Sequence, residues 1–200
     1  MILTLIRHGT TAGNAHRFYY GAADIPLLPE GETALRELAA KGGYPTAAHY
    51  HTSPLIRTEQ TFSILYGDIP HTSIEGLREM NFGDFEMRYV AGDLENDPVF
   101  QAWRKDRTGE IACPNGESML GVRHRASEAL APIIAAGEDT VCVIHGMVIS
   151  LLLWRWFPDG QPEPLGRIPA PGTGFRIEFD GGRPVRFTPI PYGGKIDPQW

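Results

Sequence analysis

Two arginines and two histidines stand where their side chains could share one negatively charged group. Arg7-His8-Gly9 follows directly on the apolar run Met1 to Ile6, Arg57 follows closely on Thr52-Ser53, and His145-Gly146 follows Val141-Cys142-Val143-Ile144. In each case a run of strand type stops at a cation or an imidazole. Imidazole titrates near neutrality and serves as acid, base or nucleophile. A guanidinium offers a rigid fork of donors suited to carboxylate or phosphate. Two such cations about 4 Å from a phosphate dianion are each worth roughly 4 kcal/mol per unit charge pair at an effective dielectric near 20, before desolvation is subtracted. Taken singly, Arg7-His8 reads as an ordinary loop, His145 as a satisfied core histidine and Arg57 as a surface charge. Their recurrence at three strand ends argues for one anion site that fits a dianionic phosphoryl group.

The elements that must position these groups alternate. Met1 to Ile6, Ala48 to His51, Thr140 to Ile144, Phe175 to Phe179 and Val185 to Ile190 read as strands, the last two joined as a hairpin through Asp180-Gly181-Gly182. Glu30 to Lys41 reads as a helix, with acids at its start and Lys41 before Gly42-Gly43 at its end. Ser53 is expected to cap a second helix, with Pro54 in its first position and Leu55, Thr58, Phe62 and Leu65 on one face. Arg57 then falls in the first turn, where a cation opposes the macrodipole by about 0.3 to 1 kcal/mol unless an anion is held there. Amides at that helix start and after His8 would point at the same anion. Met119, Val122, Ala126, Ala129 and Ile133 form another helical stripe, which Pro132 kinks or ends. The expected fold class is α/β, with a mainly parallel central sheet and helices on both faces. Such sheets hold ligands at the carboxyl ends of their strands. Residues 83–115 break the alternation and read as an inserted cap within a single domain spanning 1–200. Pro158 to Gly174 reads as a long loop.

Composition narrows the partners. With 18 basic and 24 acidic residues the formal charge is −6, which excludes a duplex-coating nucleic-acid binder. The longest apolar tract, Met147 to Trp154, is far short of the roughly 20 residues a membrane span needs. Met1 to Ile6 lacks the basic and small-residue flanks of a signal peptide. The expectation is a soluble, cytoplasmic monomer or homodimer. Cys113 and Cys142 match no metal spacing and read as buried thiols. His16, His49, His51, His71 and His124 lack carboxylate or thiolate partners at ligand spacing, so no metal and no cofactor are expected.

Arg7-His8-Gly9-Thr10 with Asn14 resembles the opening signature of the histidine phosphatase superfamily, which includes the cofactor-dependent phosphoglycerate mutases. The likeness continues through Gly21, Asp24, Pro26-Leu27 and Gly31, through Ser53-Pro54 with Arg57 and Thr61, and through Leu77, Glu79 and Phe82-Gly83. It closes with Pro114, Gly116-Glu117-Ser118 and His145-Gly146, so it runs to about residue 150. The resemblance implies that His8 is a nucleophile forming a phosphohistidine. Arg7, Arg57, His145 and Asn14 would hold the phosphoryl oxygens, and Glu79 would protonate the departing alkoxide and later activate water. The substrate-binding set it implies also includes Gly9, Thr10, Tyr20, Gly21, Phe82 and Gly146. Outside that context Glu79 reads as one more solvated carboxylate beside Glu75, Asp84 and Glu86.

Mutases of the family hold a carboxylate with extra cations in the cap, including an adjacent arginine pair. This chain has no Arg-Arg pair, and its cap offers Arg88, Arg104, Lys105 and Arg107 singly. The reading is therefore a phosphomonoesterase acting on a small phosphorylated metabolite, with mutase-type transfer as the alternative. A non-catalytic module that binds phosphorylated ligands is the second alternative. Arg17, Tyr19-Tyr20-Gly21 and the Gly-Glu-Ser turn look most like α-ribazole phosphatase and its broad-specificity relatives. Where those relatives carry Trp-Glu-Gly, this chain has Phe85-Glu86-Met87. Phe18, Tyr19, Tyr20, Phe82 and Trp103 either line a leaving-group pocket or pack in the core.

Overall fold

A computed structural model describes residues 1–160 and 165–191. Five residues of the apolar N-terminal run and Arg7 form β1 (Ile2–Arg7), which pairs in parallel with β6 (Thr140–Ile144). Strand β3 (His49–Thr52) lies on the other side of β6 and carries the short edge strand β4 (Thr72–Ser73), both in parallel. The hairpin of β7 (Gly174–Asp180) and β8 (Arg183–Ile190) adds two antiparallel strands beyond β1. The order is β4-β3-β6-β1-β7-β8, parallel across its first four strands.

Because side chains alternate across a pleated strand, this sheet feeds two cores. Leu3, Leu5, Cys142, Ile144 and Ile177 face one layer, with α5 (Met119–Ala136) and α6 (Gly146–Trp156) packed on it. Ile6, Tyr50, Val141 and Val143 face the other, against Phe62 and Leu65 of α3 (Ile56–Tyr66). Helix α2 (Pro29–Ala40) opens with proline in its first turn beside Glu30 and Glu32, and it packs against α3. Helices thus cover both faces. The apolar tract after His145 is α6, buried from Gly146 to Leu153.

Residues 83–115 hold one short strand, β5 (Arg88–Tyr89), paired with β2 (Phe18–Tyr19), and one α-helix, α4 (Pro98–Lys105). Asp97 caps α4 through the amides of Val99 and Phe100, and Arg104 and Lys105 complement its carboxyl end. Phe100 and Trp103 pack edge to face on Tyr19, Trp103 also on Phe82, and Phe85 on Phe100, so this segment shares the main core.

Two local expectations are corrected. The helix after Ser53 starts at Ile56 with Leu55 at the cap position, so neither Ser53 nor Pro54 has its expected role. Pro132 neither ends nor visibly breaks α5, which runs on to Ala136 and stops at Gly137 in the left-handed region, φ 75°. The loop read over Pro158 to Gly174 includes 161–164, which lie outside the described residues.

Candidate active site

The parallel ladder brings the three strand ends together. Register pairs Arg7 with Ile144 and Thr52 with Val143, and the His8 amide donates to the Ile144 carbonyl at 3.0 Å. Chains leaving β1, β3 and β6 therefore emerge side by side, as an open parallel sheet requires of its ligand crevice. The ring of His145 stands 5.3 Å from that of His8, edge to face. Tyr20 closes the group at 6.4 Å from His8, and the Arg57 guanidinium lies over its ring at 5.1 Å.

His8 is fixed by its own loop. Nδ1 lies 2.7 Å from the Gly9 carbonyl, which can only accept, so Nδ1 carries the proton and Nε2 presents a lone pair. Burial, then the charges of Arg57 and Arg7, hold its pKa well below the ordinary histidine value. A buried, neutral imidazole with one bare nitrogen is a nucleophile in its reactive form.

Each arginine is tied by backbone carbonyls. Arg57 donates to Gly21 O and Ala23 O, both at 2.8 Å, and Arg7 donates to Pro169 O at 2.7 Å. The Gly21–Ala23 loop is itself clamped by Glu86, whose carboxylate accepts from the amides of Gly21, Ala22, Ala23 and Phe82. A side chain at Gly21 would run into the Met80 carbonyl, so only glycine allows this approach. Asn14 lies in the short helix α1 (Ala12–His16) and shares a capping box with Thr11, and its Oδ1 also accepts from the Tyr20 hydroxyl at 2.9 Å. Its carbonyl side is thereby committed, which leaves the NH2 as the end able to donate elsewhere.

Glu79 lies across the cavity. It accepts from the amides of Met80 at 3.0 Å and Met147 at 3.3 Å, the latter in the first turn of α6. Burial raises its pKa above the ordinary carboxylate value, opposed by those amides and by Arg57 and Arg7. The cavity wall is Arg7, His8, Gly13, Asn14, Phe18, Tyr20, Glu79, Phe82, Gly146, Met147 and Ile168, enclosing about 30 Å³.

Of the residues expected from sequence, Arg7, His8, Asn14, Tyr20, Glu79, Phe82 and Gly146 line this cavity. Arg57 and His145 sit against Tyr20 and His8 just behind it. Gly9, Thr10 and Gly21 stay off its wall and serve through their backbones. The Gly9 amide donates to Thr61 Oγ1 at 2.9 Å, and the Thr10 carbonyl accepts from Leu28 at 2.9 Å. The expected anion site at the start of α3 is likewise taken, because the Ile56 amide donates to the Asp24 carboxylate at 2.8 Å. Gly13, Met147 and Ile168 were not anticipated, being small or apolar groups without a chemical signature. Among the aromatics, Phe18, Tyr20 and Phe82 reach the cavity, whereas Tyr19 and Trp103 are core.

A larger cavity of about 410 Å³ is lined by Gln101, Arg104, Lys105, Asp106, Arg107, Met119 and Leu165 and contains none of these reactive groups. Arg88 is engaged by the Asp93 carbonyl at 2.7 Å and by Asp97 at 3.6 Å. Burial pushes the Cys142 thiol up to about 12, consistent with an inert packing role. No helix among the described residues is long and apolar enough to cross a membrane.

Comparison with known proteins identifies the family. Residues 3–186 match the model of the histidine phosphatase superfamily, branch 1. Over 156 residues the chain is 35% identical to a protein of Yersinia enterocolitica described as a probable phosphoglycerate mutase GpmB, covering 74% of this chain and 71% of that one. The solved α-ribazole phosphatase of Shigella flexneri superposes with a TM-score of 0.80 at 26% identity, covering 92% of this chain and 94% of its own. Bacillus stearothermophilus YhfR gives 0.79 at 29% identity, with 92% and 94% covered. The chain belongs to the histidine phosphatase superfamily.

Proposed function

We propose that the protein is a metal-independent phosphomonoesterase that hydrolyses a small phosphorylated metabolite through a phosphohistidine on His8. The observation that carries this reading is the Gly9 carbonyl on Nδ1 of a buried, neutral His8, which leaves Nε2 bare in a cavity shared with Arg7 and Glu79. Nε2 attacks phosphorus as the P–O ester bond breaks. Glu79, whose acid form is favoured by burial and by the incoming dianion, gives its proton to the departing oxygen. Arg7, Arg57, His145 and the Asn14 amide take up charge on the three remaining oxygens, where alignment and electrostatics supply most of the acceleration. Glu79 then removes a proton from the water that displaces His8 from phosphorus. The cavity admits the phosphoryl end, and the leaving group rests toward Phe18, Phe82 and Ile168.

Incubation with p-nitrophenyl phosphate, without added metal, should release nitrophenol. His8→Ala should abolish release, and the phosphohistidine should be trapped under alkaline conditions, because its N–P bond is labile in acid. A phospho-ligand binder without catalysis would release none.

The mutase reading draws on the relatives described as phosphoglycerate mutases. Against it, none of Arg88, Arg104, Lys105 and Arg107 lines the His8 cavity. Supplied with 3-phosphoglycerate and its bisphosphate primer, the protein should release phosphate faster than it isomerises the sugar acid; the reverse order would make it a mutase. A panel of phosphorylated metabolites, α-ribazole 5′-phosphate among them, would identify the leaving group.

A further inference from the structure

Behind the two histidines lies a hydroxyl pair that the phosphatase mechanism leaves unused. Ser53 Oγ is 2.6 Å from His145 Nε2 and 3.2 Å from Thr58 Oγ1. Thr58 Oγ1 is in turn 2.7 Å from the Ser53 carbonyl and 2.6 Å from the Leu55 carbonyl. Ser53, Thr58 and His145 are all fully buried, at 0% exposure, so bulk water does not enter the arrangement.

The hydrogens can be placed by elimination. Both carbonyls near Thr58 can only accept, so its single hydroxyl hydrogen goes to them. Ser53 then has one hydrogen and two neighbours. Either it donates to His145 Nε2, or it donates to Thr58 and His145 Nε2–H donates to it. A separation of 2.6 Å lies at the short end for an O–H donor and below the usual range for an N–H donor. The longer contact to Thr58 is the weaker competitor for the hydrogen. His145 Nδ1 is buried without a partner among the described residues, as is Nε of Arg57. A lone pair at Nδ1 would repel an arriving anion, whereas an N–H would attract it.

We infer that Ser53 is a positioning residue that donates to Nε2 of His145 and so places the ring's proton on Nδ1, as a donor held ready for a phosphoryl oxygen. This rests on the phosphatase reading for its purpose but not for its hydrogen placement.

Nitrogen NMR of the full chain labelled with ¹⁵N-histidine tests it, with the His145 signals identified by their loss in His145→Gln. At neutral pH the wild type should show a bare Nε2 and a protonated Nδ1. Ser53→Ala should lose that pattern and raise KM for p-nitrophenyl phosphate about tenfold, the effect of one hydrogen bond to a charged group. Thr58→Val should keep the wild-type tautomer, because Thr58 only competes for the Ser53 hydrogen. Should Ser53→Ala fail to fold, the wild-type and Thr58→Val spectra decide the matter. A wild-type proton on Nε2, or an unchanged pattern in Ser53→Ala, overturns the inference. A wild type inert toward p-nitrophenyl phosphate defeats the phosphatase reading, while the spectra still judge the hydrogen placement.

Discussion

Glu79 is held between the Met80 and Met147 amides, which favour its ionised form, while burial favours the acid. As the donor in the first step it must be protonated, so kcat/KM should fall as pH rises through its raised pKa. Glu79→Gln should lose that limb and lower kcat by about 10²- to 10⁴-fold for an alkyl phosphate. The loss should be much smaller for p-nitrophenyl phosphate, whose leaving group needs little help. Equal losses for both esters would assign Glu79 to binding instead. Arg7, His8 and His145 were legible in the sequence because they sit where strands end, whereas Glu79 stood out from its acidic neighbours only through the family resemblance. Ser53 was visible but misassigned: a serine before a proline fits a helix cap locally, and only the parallel register that sets Thr52 beside Val143 brings its hydroxyl to His145. Ile168 and Met147 were silent, since an apolar side chain announces burial and not which cavity it borders.

At the scale of elements, the loop holding Arg57 depends on a carboxylate one segment away. Glu86 accepts four backbone amides, so Glu86→Ala leaves several donors without their acceptor. It should lower stability by about 2 kcal/mol and weaken inhibition by inorganic phosphate through a displaced Arg57. Beside it, Met87 is exposed with φ at 57°, the left-handed region that favours glycine. Relief of about 1 to 2 kcal/mol of strain, offset by the extra backbone freedom of glycine, should make Met87→Gly more stable by roughly 0.5 to 1 kcal/mol in denaturant unfolding. Pro132 sits inside α5 on its exposed side, so Pro132→Ala should stabilise as well, by up to about 3 kcal/mol, with activity retained. The strands and the hairpin were readable from periodicity and from Asp180-Gly181-Gly182. The course of α5 was not, because proline's local penalty is outweighed by the burial of Met119, Val122, Ala126 and Leu130 along the same helix.

For the molecule as a whole, the site's chemistry sets the shape of its stability against pH. Burial and the neighbouring arginines depress the pKa values of His8 and His145 in the fold. A depressed folded pKa contributes stability that is fully present above the unfolded value, about 6.5, and is lost as pH falls through the folded one. Glu79 has the opposite sign: its raised folded pKa gives a contribution present below the unfolded value, about 4.3, and lost as pH rises through the folded value. The active site therefore withdraws stability from both sides, from the histidines toward acid and from the carboxylate toward base. Thermal unfolding followed from acid to mildly alkaline pH separates the two. Glu79→Gln should match the wild type near pH 4 and exceed it near pH 8, where the buried charge is removed. His8→Asn should parallel the wild type above about pH 7 and gain on it toward pH 5, where the unfolded wild type binds a proton that the buried ring beside Arg57 and Arg7 does not. Parallel curves across the whole range would show that neither group changes its proton affinity on folding, and the acid and nucleophile assigned to Glu79 and His8 would lose their physical basis.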